Sequence, residues 1–140
     1  MKIAVLLPYK ENFSSNYAGA VSLFVKDSIE NSEYFNNAHV FGSMPYKKPL
    51  LKNYININLT KSIFQSNSKH YVSIFLEKEK KINSNIIEIH NRPNYIQYLK
   101  NLENKKIILY FHNDPLSMNG SQTIKERVSL LNRIDKILFN

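Results

Sequence analysis

The chain has 140 residues, 43% of them hydrophobic, no cysteine and a formal charge of +8. That length suits one domain with a real core, and the composition excludes a disordered chain. The lack of cysteine removes disulfides, thiolate nucleophiles and Cys-ligated zinc and suits a reducing compartment, while the positive balance favours anionic partners such as nucleotides, phospholipid head groups or nucleic acid. A coding bias toward Asn, Lys and Ile would produce the same excess of charge.

The opening segment Met1-Lys2-Ile3-Ala4-Val5-Leu6-Leu7-Pro8 is too short for a signal peptide or a membrane span and reads as a buried strand over residues 2–7. A polar loop from Tyr9 to Tyr17 leads into a helical pattern from Ala18 to Tyr34, with Val21, Phe24, Val25 and Ile29 on one face. Ala38-His39-Val40-Phe41, closed by Gly42, is a second apolar run. Residues 43–52 hold Pro45, Pro49 and three lysines, the composition of an exposed loop. Tyr54, Ile55, Ile57 and Leu59 form a third, short strand. Residues 61–81 are expected to be helical, with Tyr71, Ile74, Phe75 and Lys78 at helical spacing.

A fourth strand spans 86–90 and is followed by a helix from Pro93 to Leu102, Pro93 suiting a first turn where its missing N–H is not needed. The fifth strand is 107–111. Ser121, after Gly120, is the expected N-cap of a last helix reaching Ile134, with Ile124, Val128, Leu131 and Ile134 on one face. Ile137-Leu138-Phe139 begins a sixth strand, and the stop at Asn140, just as that strand would finish, reads as a fragment of something longer. Strands alternating with helices predict a Rossmann-like, doubly wound, mainly parallel sheet of about six strands with helices on both faces.

Chemistry concentrates where two strands end. Ile107-Ile108-Leu109-Tyr110-Phe111 runs into His112-Asn113-Asp114-Pro115, and Ile86-Ile87-Glu88-Ile89-His90 runs into Asn91-Arg92-Pro93-Asn94. Ligands of open α/β sheets bind beyond the carboxyl ends of strands, so two such ends side by side would form a polar site on one rim. His112 could accept a hydrogen bond from a sugar hydroxyl or steady developing positive charge; an ordinary packed or surface histidine is the competing reading. Asn91, Arg92 and Asn94 suit hydroxyls or anionic groups, against the simpler alternative of a capping turn around Pro93. Ala18-Gly19-Ala20-Val21 opens the first helix, where small residues let an anion approach free N–H groups, though they equally serve helix–sheet packing. The dinucleotide fingerprint, the phosphate-binding loop, the H-E-x-x-H motif and the Gly-x-Ser-x-Gly elbow are all absent, and the four histidines show no ligand spacing.

Taken in order, these segments resemble the N-terminal half of a family 4 glycosyltransferase with the GT-B fold. The first strand with its proline and Ala18-Gly19-Ala20-Val21 are similar to that family's first strand and glycine-bearing turn, with a single glycine where relatives carry two. Asn85 to Pro93 is similar to the stretch written D-[IV]-[IV]-H-x-H, and Ile107 to Asn113 resembles the [VIL]-x-T-x-H strand end. Ile134 to Asn140 is similar to A-D-x-[VI]-[IV]-x-x-S.

The resemblance implies that residues 1–140 form the acceptor-side domain of a retaining, metal-independent enzyme that needs no cofactor. The donor-binding domain, with its E-x7-E carboxylate pair, would be absent from this chain, which alone would be inactive. It further implies that Gly19 and Ala20 lie by the donor diphosphate and His112 by the transferred sugar. His90, Asn91, Arg92, Asn94, Asn113 and Asp114 would line the acceptor side. The implied partners are a nucleotide-sugar donor and a glycan or lipid-linked acceptor, in the cytoplasm.

Tyr46, Lys47, Lys48, Lys52 and Tyr54, continued by Lys69, Tyr71, Phe75, Lys78, Lys80 and Lys81, could rest on anionic lipid at the inner face of a membrane. The plainer reading is a solvated loop and an ordinary amphipathic helix. A stand-alone nucleotide or sugar-phosphate binding module is the principal rival. Nucleic-acid binding is disfavoured by the apolar parallel strands and the lack of a recognition-helix motif.

Overall fold

A computed structural model describes residues 1–45, 48–59, 66–100, 102 and 104–140. Six strands form one open sheet in the order β3-β2-β1-β4-β5-β6, every neighbouring pair parallel. They are β1 (Ile3–Leu6), β2 (Ala38–Gly42), β3 (Tyr54–Asn56), β4 (Ile86–His90), β5 (Lys106–Phe111) and β6 (Lys136–Phe139). Three α-helices join them: α1 (Ala20–Glu30), α2 (Asn67–Ile82) and α3 (Ile124–Leu131). The fold is Rossmann-like α/β, as the alternation of elements predicts.

The central strand is apolar on both sides because both sides are covered: Ala4, Val5, Leu6 and Leu7 are all buried. Val5, Leu7 and Val40 face α1, which buries Val21, Val25 and Ile29. Ala4, Leu6, Ile87, Ile89 and Leu109 face the opposite layer, where α2 contributes Tyr71, Val72 and Phe75. The strand order reverses between β1 and β4, so a crevice opens at the carboxyl ends of these two neighbours.

Three local expectations need correction. The segment after Pro93 is a 3-10 helix, Pro93–Tyr98, not an α-helix to Leu102; a run this short packs its Tyr95 and Ile96 inward without needing the wider spiral. The N-cap of α3 is Thr123, not Ser121: Thr123 and Glu126 exchange backbone hydrogen bonds in a capping box. Ser121 is instead buried, its Oγ donating to Pro115 O. The apolar stripe of α3 also points outward, with Ile124 73%, Val128 54% and Leu131 59% exposed, while Leu130 is the residue that enters the core.

Candidate functional site

Because all six strands run the same way, the loops after β1, β4, β5 and β6 leave the same rim. Gly19, the N-cap of α1, and His112, one residue past β5, therefore share that rim. They are linked through Phe24, whose ring meets the His112 ring edge-on at 4.8 Å and the His90 ring at 6.2 Å.

The two histidines, 22 apart in sequence, come together through the register of β4 on β5. His90 pairs with Tyr110, and His112 stands two residues further along the same face. His90 Nδ1 lies 2.9 Å from His112 Nε2. Tyr110 lies parallel against the His90 ring, 4.8 Å between centroids and 2° between planes. On the far side of His90, Nε2 faces Glu88 Oε2 at 3.8 Å. Burial, and then the neighbouring His90, hold the His112 pKa below its ordinary value, so the ring is neutral near pH 7.

Asn91 is the hinge of the rim. It adopts a left-handed backbone (φ 53°), which Asn tolerates better than most residues. Its N–H donates to Tyr110 O at 2.8 Å, and its Oδ1 accepts from the His112 N–H at 2.7 Å. Its carbonyl accepts from Arg92 Nη1 at 2.7 Å. Next to it, a cleft of about 410 Å³ opens over the β1–β4 switch point, lined by Tyr9, Ser68, Arg92, Asn94, Tyr95 and Asn119 among others. Two buried phenols brace its wall: Tyr71 donates to Leu7 O, and Tyr95 accepts from the Tyr9 N–H. Burial pushes the Tyr71 phenol well above its ordinary range, so it remains a neutral donor.

The structure thus gathers His90, Asn91, Arg92, Asn94 and His112 on one rim but gives them different stations. Asn91, Arg92 and Asn94 line the cleft, whereas the half-buried His112 lies outside that lining and is joined to it through Asn91 Oδ1. His90 and Asn91 are 1% and 5% exposed and hold the rim together; His90 is not part of the cleft lining, while Asn91 is. Asn113 is exposed. Asp114 is exposed too, but its Oδ1 caps the short helix that follows by accepting from the Leu116 N–H at 3.0 Å. Sequence reasoning missed Glu88, which shares a face of β4 with His90 two residues on, and Tyr110 and Phe24, whose contacts to His90 cross strands or layers. It also missed Tyr9, Ser68 and Asn119, brought to the cleft from the loop after β1, the first turn of α2 and the loop before α3.

The helix start at Gly19 and Ala20 holds a carboxylate of the chain itself. Glu11 Oε1 accepts from Ser22 N at 3.3 Å and from Ser22 Oγ at 3.0 Å, which satisfies first-turn donors. A side chain added at Gly19 would collide with that carboxylate, so the small residue here serves an internal cap. An incoming diphosphate would have to displace Glu11.

Among the described residues, no group of three His, Asp or Glu side chains could hold a metal ion, and no helix is long and apolar enough to cross a membrane. Tyr71 and Phe75 are fully buried, which removes them from the lipid-facing surface expected of α2. Tyr46 and Lys47 of that surface lie outside the described residues. Comparison with models of known protein families finds no match, and no curated protein matches the chain.

Proposed function

We propose that the chain is the acceptor-side domain of a retaining glycosyltransferase of the GT-B type. In that reading it moves a sugar from a nucleotide-diphosphate donor to a glycan or lipid-linked acceptor. The observation that carries it is the cleft of about 410 Å³ at the β1–β4 switch point, to whose lining the neutral His112 is tied through Asn91 Oδ1. The cleft walls offer an amide at Asn94, a guanidinium at Arg92 and a hydroxyl at Ser68, the mixture that hydroxyl-rich ligands use. The chemical contribution of such a domain is to hold the acceptor against the reacting carbon and steady the positive charge that develops there. Peripheral contact with anionic lipid through Lys69, Lys78, Lys80 and Lys81, and a cytoplasmic site of action, belong to the same proposal.

The test is a titration of the isotopically labelled chain with methyl glycosides and with nucleoside-diphosphate sugars, followed by NMR. The expected result is perturbation of Arg92, Asn94, His112 and Asn113, with the opposite rim around Lys2, Asn85 and Lys105 unmoved. Perturbation of the opposite rim, or of neither, overturns the proposal. Perturbation by nucleotides alone, centred on Gly19 and Ala20, would favour a nucleotide-binding module. In the complete enzyme this reading implies, His112→Ala lowers turnover about a hundredfold, the usual cost of losing one charge-stabilising group.

A further inference from the structure

We propose that Glu88 and His90 act as positioning residues that fix the tautomer of His112, so that the rim presents a bare His112 Nδ1 to a ligand hydroxyl. The sugar identity of that hydroxyl rests on the function proposed above; the tautomer does not.

In the form that carries no charge on either ring, one proton lies between His90 Nδ1 and His112 Nε2, which are 2.9 Å apart. Two arrangements are open, and each one dictates the outer nitrogens. If His90 donates, its Nε2 is a lone pair aimed at the Glu88 carboxylate, and His112 carries its proton on Nδ1. If His112 donates, His90 Nε2 carries a proton toward Glu88, and His112 Nδ1 is bare. The Glu88 end favours the second arrangement.

At the inner end, His90 Nε2 is buried with no hydrogen-bond partner among the described residues, and the Glu88 Oε2 atom faces it at 3.8 Å. A lone pair against a carboxylate in a buried place is repulsive, whereas an N–H there is attracted. At the outer end, the Asn140 amide stands 3.5 Å from His112 Nδ1, a long contact that fits either arrangement and that a ligand hydroxyl would replace. Ring flips that would undo this order are opposed by Tyr110 stacked on His90 and Phe24 set edge-on to His112.

The consequence is selectivity at one atom. A bare Nδ1 accepts from a hydroxyl, an ammonium or an amide N–H, and repels a phosphate or carboxylate oxygen. The anionic part of any ligand is therefore directed away from His112 and toward Arg92, which lines the neighbouring cleft.

The experiment reads imidazole nitrogens directly, by long-range proton–nitrogen correlation spectra of the labelled chain near pH 7. The expected pattern is Nε2 protonated and Nδ1 unprotonated on both His90 and His112. A proton on His112 Nδ1 overturns the proposal. In Glu88→Gln, which keeps the shape and removes the charge, the His112 nitrogens are expected to move toward the averaged values of an unbiased ring. An unchanged pattern removes Glu88 from the device, and His90→Phe tests the inner link in the same spectrum. Where methyl glycosides bind, Glu88→Gln weakens them about fivefold, the worth of one neutral hydrogen bond. A wild-type chain with the expected tautomers but no glycoside binding refutes the sugar-transfer reading alone. Glycoside binding with the opposite tautomer refutes this inference alone.

Discussion

Single residues at this rim carry structural work that their chemistry hides. Gly120 has φ +97°, and an added Cβ would lie 2.5 Å from Asn94 N and 2.7 Å from Asn94 Cα. The backbone that carries Asn94 into the cleft is thus pressed against the loop before α3, and only glycine permits the approach. Gly120→Ala should destabilise the chain by more than about 1 kcal/mol, combining left-handed strain with a backbone collision. Denaturant unfolding measures this, and an unchanged midpoint would contradict the packing.

The half-buried imidazoles of His39 and His112 supply a second residue-level expectation. Burial lowers the pKa of His39, with a smaller push from Lys2, and burial followed by His90 lowers that of His112. As pH falls through the ordinary histidine value of about 6.5, the unfolded chain takes up these protons first. Stability should therefore be full above that value and decline as pH falls through the depressed folded values. Denaturant midpoints at successive pH values would show it, and His112→Gln should flatten part of the slope. A stability that rises on acidification across this window would refute the assignment.

Elements are tied together by a few polar contacts as much as by apolar layers. Near the end of α2, Glu79 is 1% exposed, and its Oε1 accepts from Ser84 N, Ser84 Oγ and Lys105 Nζ. Burial pushes its carboxyl upward, but these donors outweigh burial and hold it below the usual value. Lys105 precedes β5 and also donates to Ser84 O at 2.7 Å, so the cluster locks α2, the start of β4 and the start of β5. Lys105→Met leaves a buried charge without its partner and should cost about 3–5 kcal/mol, whereas Lys105→Met with Glu79→Gln should recover much of that loss. A double-mutant cycle that shows additivity would mean the pair is not coupled.

The last helix provides a contrast. Its stripe of Ile124, Val128 and Leu131 fits helical spacing, but spacing cannot say which side meets the core. The rotation is set by the Thr123–Glu126 capping box and by Arg127, whose Nη1 donates to Ser121 O and Gln122 O. Leu130→Ala should cost about 2–5 kcal/mol, while Val128→Lys should stay within about 0.5 kcal/mol. The reverse ranking by thermal or denaturant unfolding would restore the sequence-based face.

Across the whole molecule, the sequence by itself determined the layered α/β class and the identity of the buried strands. The apolar runs at Ile3–Leu6 and Ile107–Phe111 are satisfied by cover on both faces, which demands helices between parallel strands. It also marked both polar strand ends, because His, Asn, Arg and Asp after such runs have no place in a sheet interior. Only the tertiary structure decided what those residues do. The offset of β4 on β5 sets His90 beside His112, and the turn of the Tyr9–Ala18 segment delivers the Glu11 carboxylate to the start of α1. Such placements depend on register and loop path, which arise from long-range packing and leave no period in a linear chain.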